Sequence, residues 1–118
     1  MQSVCETHAF RIAARDVGMG RDEVDALITS IAADPEVGDV MQGTGGCRKL
    51  RFGGRNRGKS GGYRVVTFFT GADLPVFLLT DFGKGEKANL SKAERSALAV
   101  LSRTLASAYK GERAEMTR

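Results

Sequence analysis

The residues best equipped for chemistry lie between Gly43 and Arg64, in GTGGCRKLRFGGRNRGKSGGYR. This stretch holds seven basic residues, Arg48, Lys49, Arg51, Arg55, Arg57, Lys59 and Arg64, with no acid and eight glycines. Lys and Arg offer phosphate both Coulomb attraction and charge-assisted hydrogen bonds. Glycine lets a backbone approach a ligand closely. The chain carries 18 basic and 14 acidic residues, a net charge of +4. The other 96 residues hold 11 basic against 14 acidic, a net −3, so the positive charge is concentrated in one segment. Focused charge of this kind points to a polyanion.

Such a site can do more than bind. The 2′-hydroxyl of RNA can attack its own neighbouring phosphate if a protein aligns the groups, moves a proton and neutralises the added charge. Arginine suits the last task because its planar fork of donors is fixed. Lysine can move protons when like charges crowd it, and Lys49, Arg51 and Arg64 on adjacent strands would supply the crowding. From composition alone, binding without cleavage is the favoured reading and cleavage the alternative. The usual acid–base residues are absent from the stretch. His8 sits at a predicted helix start and reads as a surface or capping residue. Asp81, near the end of a buried strand, reads as a partner for a nearby cation. No nucleophilic triad is visible, and GTGG matches neither a phosphate loop nor a dinucleotide fingerprint. Cys5 and Cys47 fit no metal spacing, so no metal or other cofactor is expected. They are expected as two free thiols.

These residues need a scaffold, and 118 residues suffice for one domain. No apolar run reaches the roughly 18 residues of a membrane span, and MQSVCETHAF lacks the pattern of a secretory signal. A cytoplasmic protein is expected. Residues 3–7 form a short strand or lead into a helix over His8–Asp16. A second helix follows with Val24, Leu27, Ile28 and Ile31 at helical spacing, capped by Asp22 and ended by Asp34-Pro35. Residues 36–46 read as a loop. CRKLRF (47–52) alternates, with Leu50, Phe52 and Arg48 on one face and Cys47, Lys49 and Arg51 on the other. Residues 53–62 form a long charged connection. YRVVTFFT (63–70) is apolar on both faces, as in a central strand, and PVFLLTDF (75–82) is a further buried strand. Ser91 and Glu94 make a capping box. The helix it opens has an apolar stripe of Ala97, Leu98, Leu101, Leu105 and Ala108. Tyr109 reads as a packing residue. The domain is expected over residues 1–110, with a polar tail over 111–118. This order predicts an α+β fold: a small antiparallel sheet with two N-terminal helices on one face and a C-terminal helix. Lys49 and Arg51 would then lie on the exposed sheet face.

GDVMQGTGGCRKLRFGGRNRGKSGGYRVVTFF, followed by LLTDFGKGEKANLSKAE, resembles the RelE/ParE superfamily of toxins from bacterial type II toxin–antitoxin systems, closest to the HigB-like branch. The matching pieces are Gly38–Gly46, Arg48–Arg51, Gly61–Val65, Phe68-Phe69 and Phe82–Ser91. They cover about half the chain in the right order. The resemblance implies a RelE-like fold and a ribosome-dependent endoribonuclease, an mRNA interferase that stops translation. It implies a helix-turn-helix antitoxin, the ribosome and mRNA as partners, and no membrane. It places catalysis on Lys49, Arg51, Arg64, Lys84 and Lys87. Arg64 would hold the scissile phosphate, and Lys49 or Arg51 would transfer a proton or stabilise charge. Arg48, Arg55, Arg57 and Lys59 would contact RNA or the ribosome. The alternatives are a ParE-like inhibitor of DNA gyrase and a non-catalytic RNA-binding module.

Overall fold

A computed structural model describes residues 2–53, 62–71, 73–83 and 90–116, with 110–116 as backbone only. Eight elements follow in order: β1 (Val4–Glu6), α1 (His8–Asp16), α2 (Arg21–Ala33), β2 (Asp39–Val40), β3 (Cys47–Phe52), β4 (Tyr63–Phe68), β5 (Val76–Phe82) and α3 (Lys92–Met116). The five strands form one sheet in the order β1-β5-β4-β3-β2. β2 to β5 pair antiparallel, as their short connections require. β1 pairs parallel with β5, Val4 opposite Val76, so the sheet is mixed. This pairing needs a long return path, which α1, α2 and the other strands provide.

Two apolar layers sandwich the sheet. On one face Phe10, Ala14, Val24, Leu27 and Ile31 of α1 and α2 meet Leu50, Tyr63, Val65, Val76 and Leu78. On the other, Cys47, Val66, Phe68, Phe77 and Leu79 are covered by Leu98, Leu105, Ala106 and Tyr109 of α3. Helices therefore flank the sheet on both sides. The face of Lys49 and Arg51 is covered at one end rather than fully open, which corrects the expectation of a bare face. β4 explains why. Its alternate residues are apolar in both directions, so each face needs a cover. Phe77 stacks on Phe68 at 6.3 Å and meets Tyr109 edge-on at 6.2 Å, which makes Tyr109 a packing residue.

The helix ends follow local chemistry. Thr7 caps α1: its Oγ1 accepts the Phe10 N–H at 3.1 Å and donates to the Leu78 carbonyl at 2.7 Å. α2 begins earlier than expected. Its cap is Gly20, whose N–H donates to Glu23 Oε1 at 3.1 Å, and Asp22 falls in the first turn. The Ser91–Glu94 box forms as expected, with Ser91 N–H to Glu94 Oε1 at 2.8 Å and Glu94 N–H to Ser91 Oγ at 3.1 Å. α3 continues to Met116, so the polar tail begins inside a helix. The apolar stripe is rotated from the expected one. Leu98 and Leu105 pack inward, whereas Leu101 is 36% exposed.

Candidate active site on the β3–β4 face

The glycine-rich lead into β3 is explained first by folding. Met41–Cys47 closes a tight turn around Thr44, which is fully buried. Thr44 Oγ1 donates to the Met41 carbonyl at 2.6 Å and accepts the Cys47 N–H at 3.0 Å. Gly38 lies against β3 with φ +98°, and a Cβ there would meet the Lys49 carbonyl oxygen at 2.8 Å. Only glycine meets both conditions. β2 can thus run beside β3, with Asp39 opposite Lys49 and Val40 opposite Arg48. The expected loop over 36–46 therefore contains a short strand.

β3 and β4 then bring the cations together. Arg51 is directly opposite Arg64, and Lys49 is opposite Val66. Directly opposed residues share a face, and residues two apart on a strand do too. Lys49, Arg51 and Arg64 therefore form one cluster on the α3 side, beyond the end that α3 covers. Arg51 is exposed, while Lys49 and Arg64 are half-buried. Two like charges opposed across a ladder repel, and an anion lying between them converts that repulsion into binding.

The β4–β5 pairing shapes the rest of this face. Its register shifts between Val66 and Thr67, so that Val66 opposes Thr80 and Thr67 opposes Leu78. Leu79 is the extra residue of a bulge, which re-aims the strand beyond it. Phe82 comes opposite Arg64, and Asp81 opposite Val65. Asp81 is buried, with 3% of its surface accessible, on the face of α1 and α2. The bulge thus puts an aromatic ring, not a carboxylate, beside the cationic cluster. Asp39 is the acid that sequence reading missed. It lies across from Lys49 because β2 pairs with β3, and a two-residue strand leaves no periodic signal.

Arg48 points to the opposite face, as the alternation implied. It donates to the Glu36 carbonyl at 2.9 Å and the Gly38 carbonyl at 3.2 Å, and lies 3.9 Å from the Glu36 carboxylate. Its guanidinium braces the loop leading into β2. Lys84, Lys87, Arg55, Arg57 and Lys59 lie outside the described residues. Cys47 is buried, with Sγ 3.1 Å from Ser102 Oγ of α3. Burial pushes its thiol up, against the opposing effect of hydrogen bonds with Ser102 and Thr44. Cys5 is exposed and both thiols are free. Among the described residues no group of His, Cys, Asp and Glu is placed to hold a metal ion.

Beside Phe82, the cross-strand partner of Arg64, a cleft of about 270 Å³ opens between β5 and the start of α3, lined by Thr80, Phe82, Leu90, Glu94, Ala97, Leu98 and Leu101. No described helix is long and apolar enough to cross a membrane.

The fold has a solved counterpart. A double arginine-to-alanine mutant of the E. coli toxin RelE in its free state superposes with a TM-score of 0.55. It is 20% identical, and the match covers 84% of this chain and 94% of that one. At that identity the likeness speaks to fold. The family evidence is separate: residues 4–118 match the model of the RelE toxin of the RelE/RelB toxin–antitoxin system. With nearly its whole length matched, this chain belongs to the RelE toxin family.

Proposed function

We propose that this protein is a ribosome-dependent mRNA endonuclease of the HigB-like branch, acting in the cytoplasm and restrained by a helix-turn-helix antitoxin. Family membership implies the toxin role and an antitoxin partner. The observation that carries the nuclease reading is the opposed pair Arg51 and Arg64, with Lys49 on the same face. In the reaction the RNA 2′-oxygen bonds to the adjacent phosphorus and the bond from phosphorus to the 5′-oxygen breaks. The products are a 2′,3′-cyclic phosphate and a 5′-hydroxyl. Arg64 holds the scissile phosphate. Arg51 faces the same phosphate from β3 and neutralises the extra charge of the pentacoordinate state. Lys49 takes part in moving the proton from the 2′-hydroxyl or onto the leaving 5′-oxygen. Lys84 and Lys87 complete the proposed catalytic set, and Arg55, Arg57 and Lys59 contact ribosomal RNA. Arg48 serves the site from behind by bracing the β2 loop.

The test is the variant set Lys49→Ala, Arg51→Ala and Arg64→Ala, singly and together, expressed with and without antitoxin. Toxicity should vanish while the variants stay folded and antitoxin-bound. Full toxicity from the triple variant would remove the assignment. Toxicity relieved by altered DNA gyrase, with mRNA intact, would instead favour the gyrase reading.

A further inference from the structure

The cleft beside the cationic cluster is unused by the proposed chemistry. It lies where the register shift has turned Thr80 and Phe82 toward α3. Leu90 and Leu98 pack against the core below it, and Leu101 stays 36% exposed on its rim. At about 270 Å³ it falls below the range of drug-sized pockets, which starts at roughly 300 Å³. It suits one flat heterocycle. Among the described residues its polar side chains are Thr80 and Glu94, and the rest of that lining is apolar. That mixture is typical of a small-ligand site, in which apolar walls bind and a few polar groups orient.

The neighbour of the cleft identifies its occupant. Phe82 is the direct cross-strand partner of Arg64, and Arg51 is Arg64's partner on the other side. One row across three strands therefore runs Arg, Arg, Phe, with strands about 4.8 Å apart. A phosphate held between the two arginines leaves its own nucleotide beside the Phe82 ring. Single-stranded RNA is recognised by splaying bases onto aromatic rings next to a cationic track.

We propose that the cleft between β5 and α3 is a nucleobase site, in which one RNA base packs on Phe82 among Leu90, Leu98 and Leu101 while its phosphate lies on Arg51 and Arg64. Glu94 orients the base by accepting a ring or exocyclic N–H, since one carboxylate can accept several hydrogen bonds. Its Oε1 already holds the Ser91 N–H, which fixes the side chain against the helix start. The cleft is thereby a determinant of which nucleotide is presented for cleavage. This inference rests on the reading of RNA as substrate, but base binding requires neither cleavage nor the ribosome.

The test titrates the full-length, isotope-labelled protein with the four nucleoside 5′-monophosphates and with ribose 5-phosphate, followed by NMR. The nucleotides should shift the signals of Phe82, Leu98 and Leu101, while ribose 5-phosphate should shift only those around Arg51 and Arg64. Phe82→Ala should weaken nucleotide binding about tenfold and leave ribose 5-phosphate affinity unchanged. Phe82→Leu and the rim variant Leu101→Ser, which keep the core filled, should weaken it in the same sense. Glu94→Gln can still accept the capping bond and should reorder the preference among the four bases. Identical shifts from nucleotides and ribose 5-phosphate, confined to the arginines, would overturn the base site and leave the nuclease proposal standing. Shifts in the cleft from a protein that cleaves no mRNA would uphold the base site and remove the nuclease instead.

Discussion

Arg51 and Arg64 face each other across β3 and β4 at some cost to the folded protein. Like charges opposed on a ladder destabilise it by up to about 1 kcal/mol at low salt. Arg51→Ala should therefore abolish cleavage while the urea midpoint at low salt stays level or rises. A marked loss of stability would mean that Arg51 serves the fold. Cys47 and Cys5 make a second contrast at this scale. Ellman's reagent should modify exposed Cys5 quickly and Cys47 only on unfolding, because burial and a protonated thiol both suppress attack. Burial raises the Cys47 thiol, so the folded state holds its proton more tightly than the unfolded chain does. Its contribution to stability is full below about pH 8.5, the value of a free thiol, and declines as pH rises beyond it. The stability gap between the wild type and Cys47→Ala should narrow between pH 7 and pH 9.5, as read by urea unfolding. A gap that stays constant or widens would contradict the upward direction of the thiol's shift.

The elements show where sequence reading succeeded and where physics hid the answer. α1, α2, α3 and β3 to β5 were legible because each is long enough to carry a period or a cap. The Ser91–Glu94 box announced α3, and the alternation of CRKLRF separated Arg48 from Lys49 and Arg51. Three features were legible only in part or not at all. β1 was one of two readings of residues 3–7, left open because the pairing that holds it, with Val76–Leu78, lies about 70 residues away and nothing local marks that contact. β2 is two residues long and is made by the turn around Thr44. The bulge at Leu79 inverts the facing of Thr80, Asp81 and Phe82 relative to simple alternation. α3's place on the second face was implicit in the two-sided apolar pattern of β4. Gly38 puts the role of the glycine motif to the test. Gly38→Ala would drive a Cβ against the Lys49 carbonyl at left-handed φ. It should lower stability by about 1–3 kcal/mol and lower cleavage by displacing Lys49. Wild-type stability in chemical denaturation would show that this glycine does not position β3.

For the molecule as a whole, the cationic cluster lies on one face and α1 and α2 cover the other. RNA and ribosome binding should therefore depend on salt according to the number of phosphates engaged, with a slope of about −0.7 per contact for single strands. The Lys49, Arg51 and Arg64 variants should each flatten that slope by about one contact in filter-binding assays. A response already flat in the wild-type protein would contradict electrostatic binding by this cluster. The proposed activity is cleavage of mRNA on the ribosome by these cations. The most direct measurement is primer extension on a defined mRNA in a translating extract, with purified protein added, beside the same mRNA free of ribosomes. Cuts within codons only where ribosomes are present, lost in Arg64→Ala, are predicted. An mRNA left intact in both samples would overturn the proposed nuclease activity.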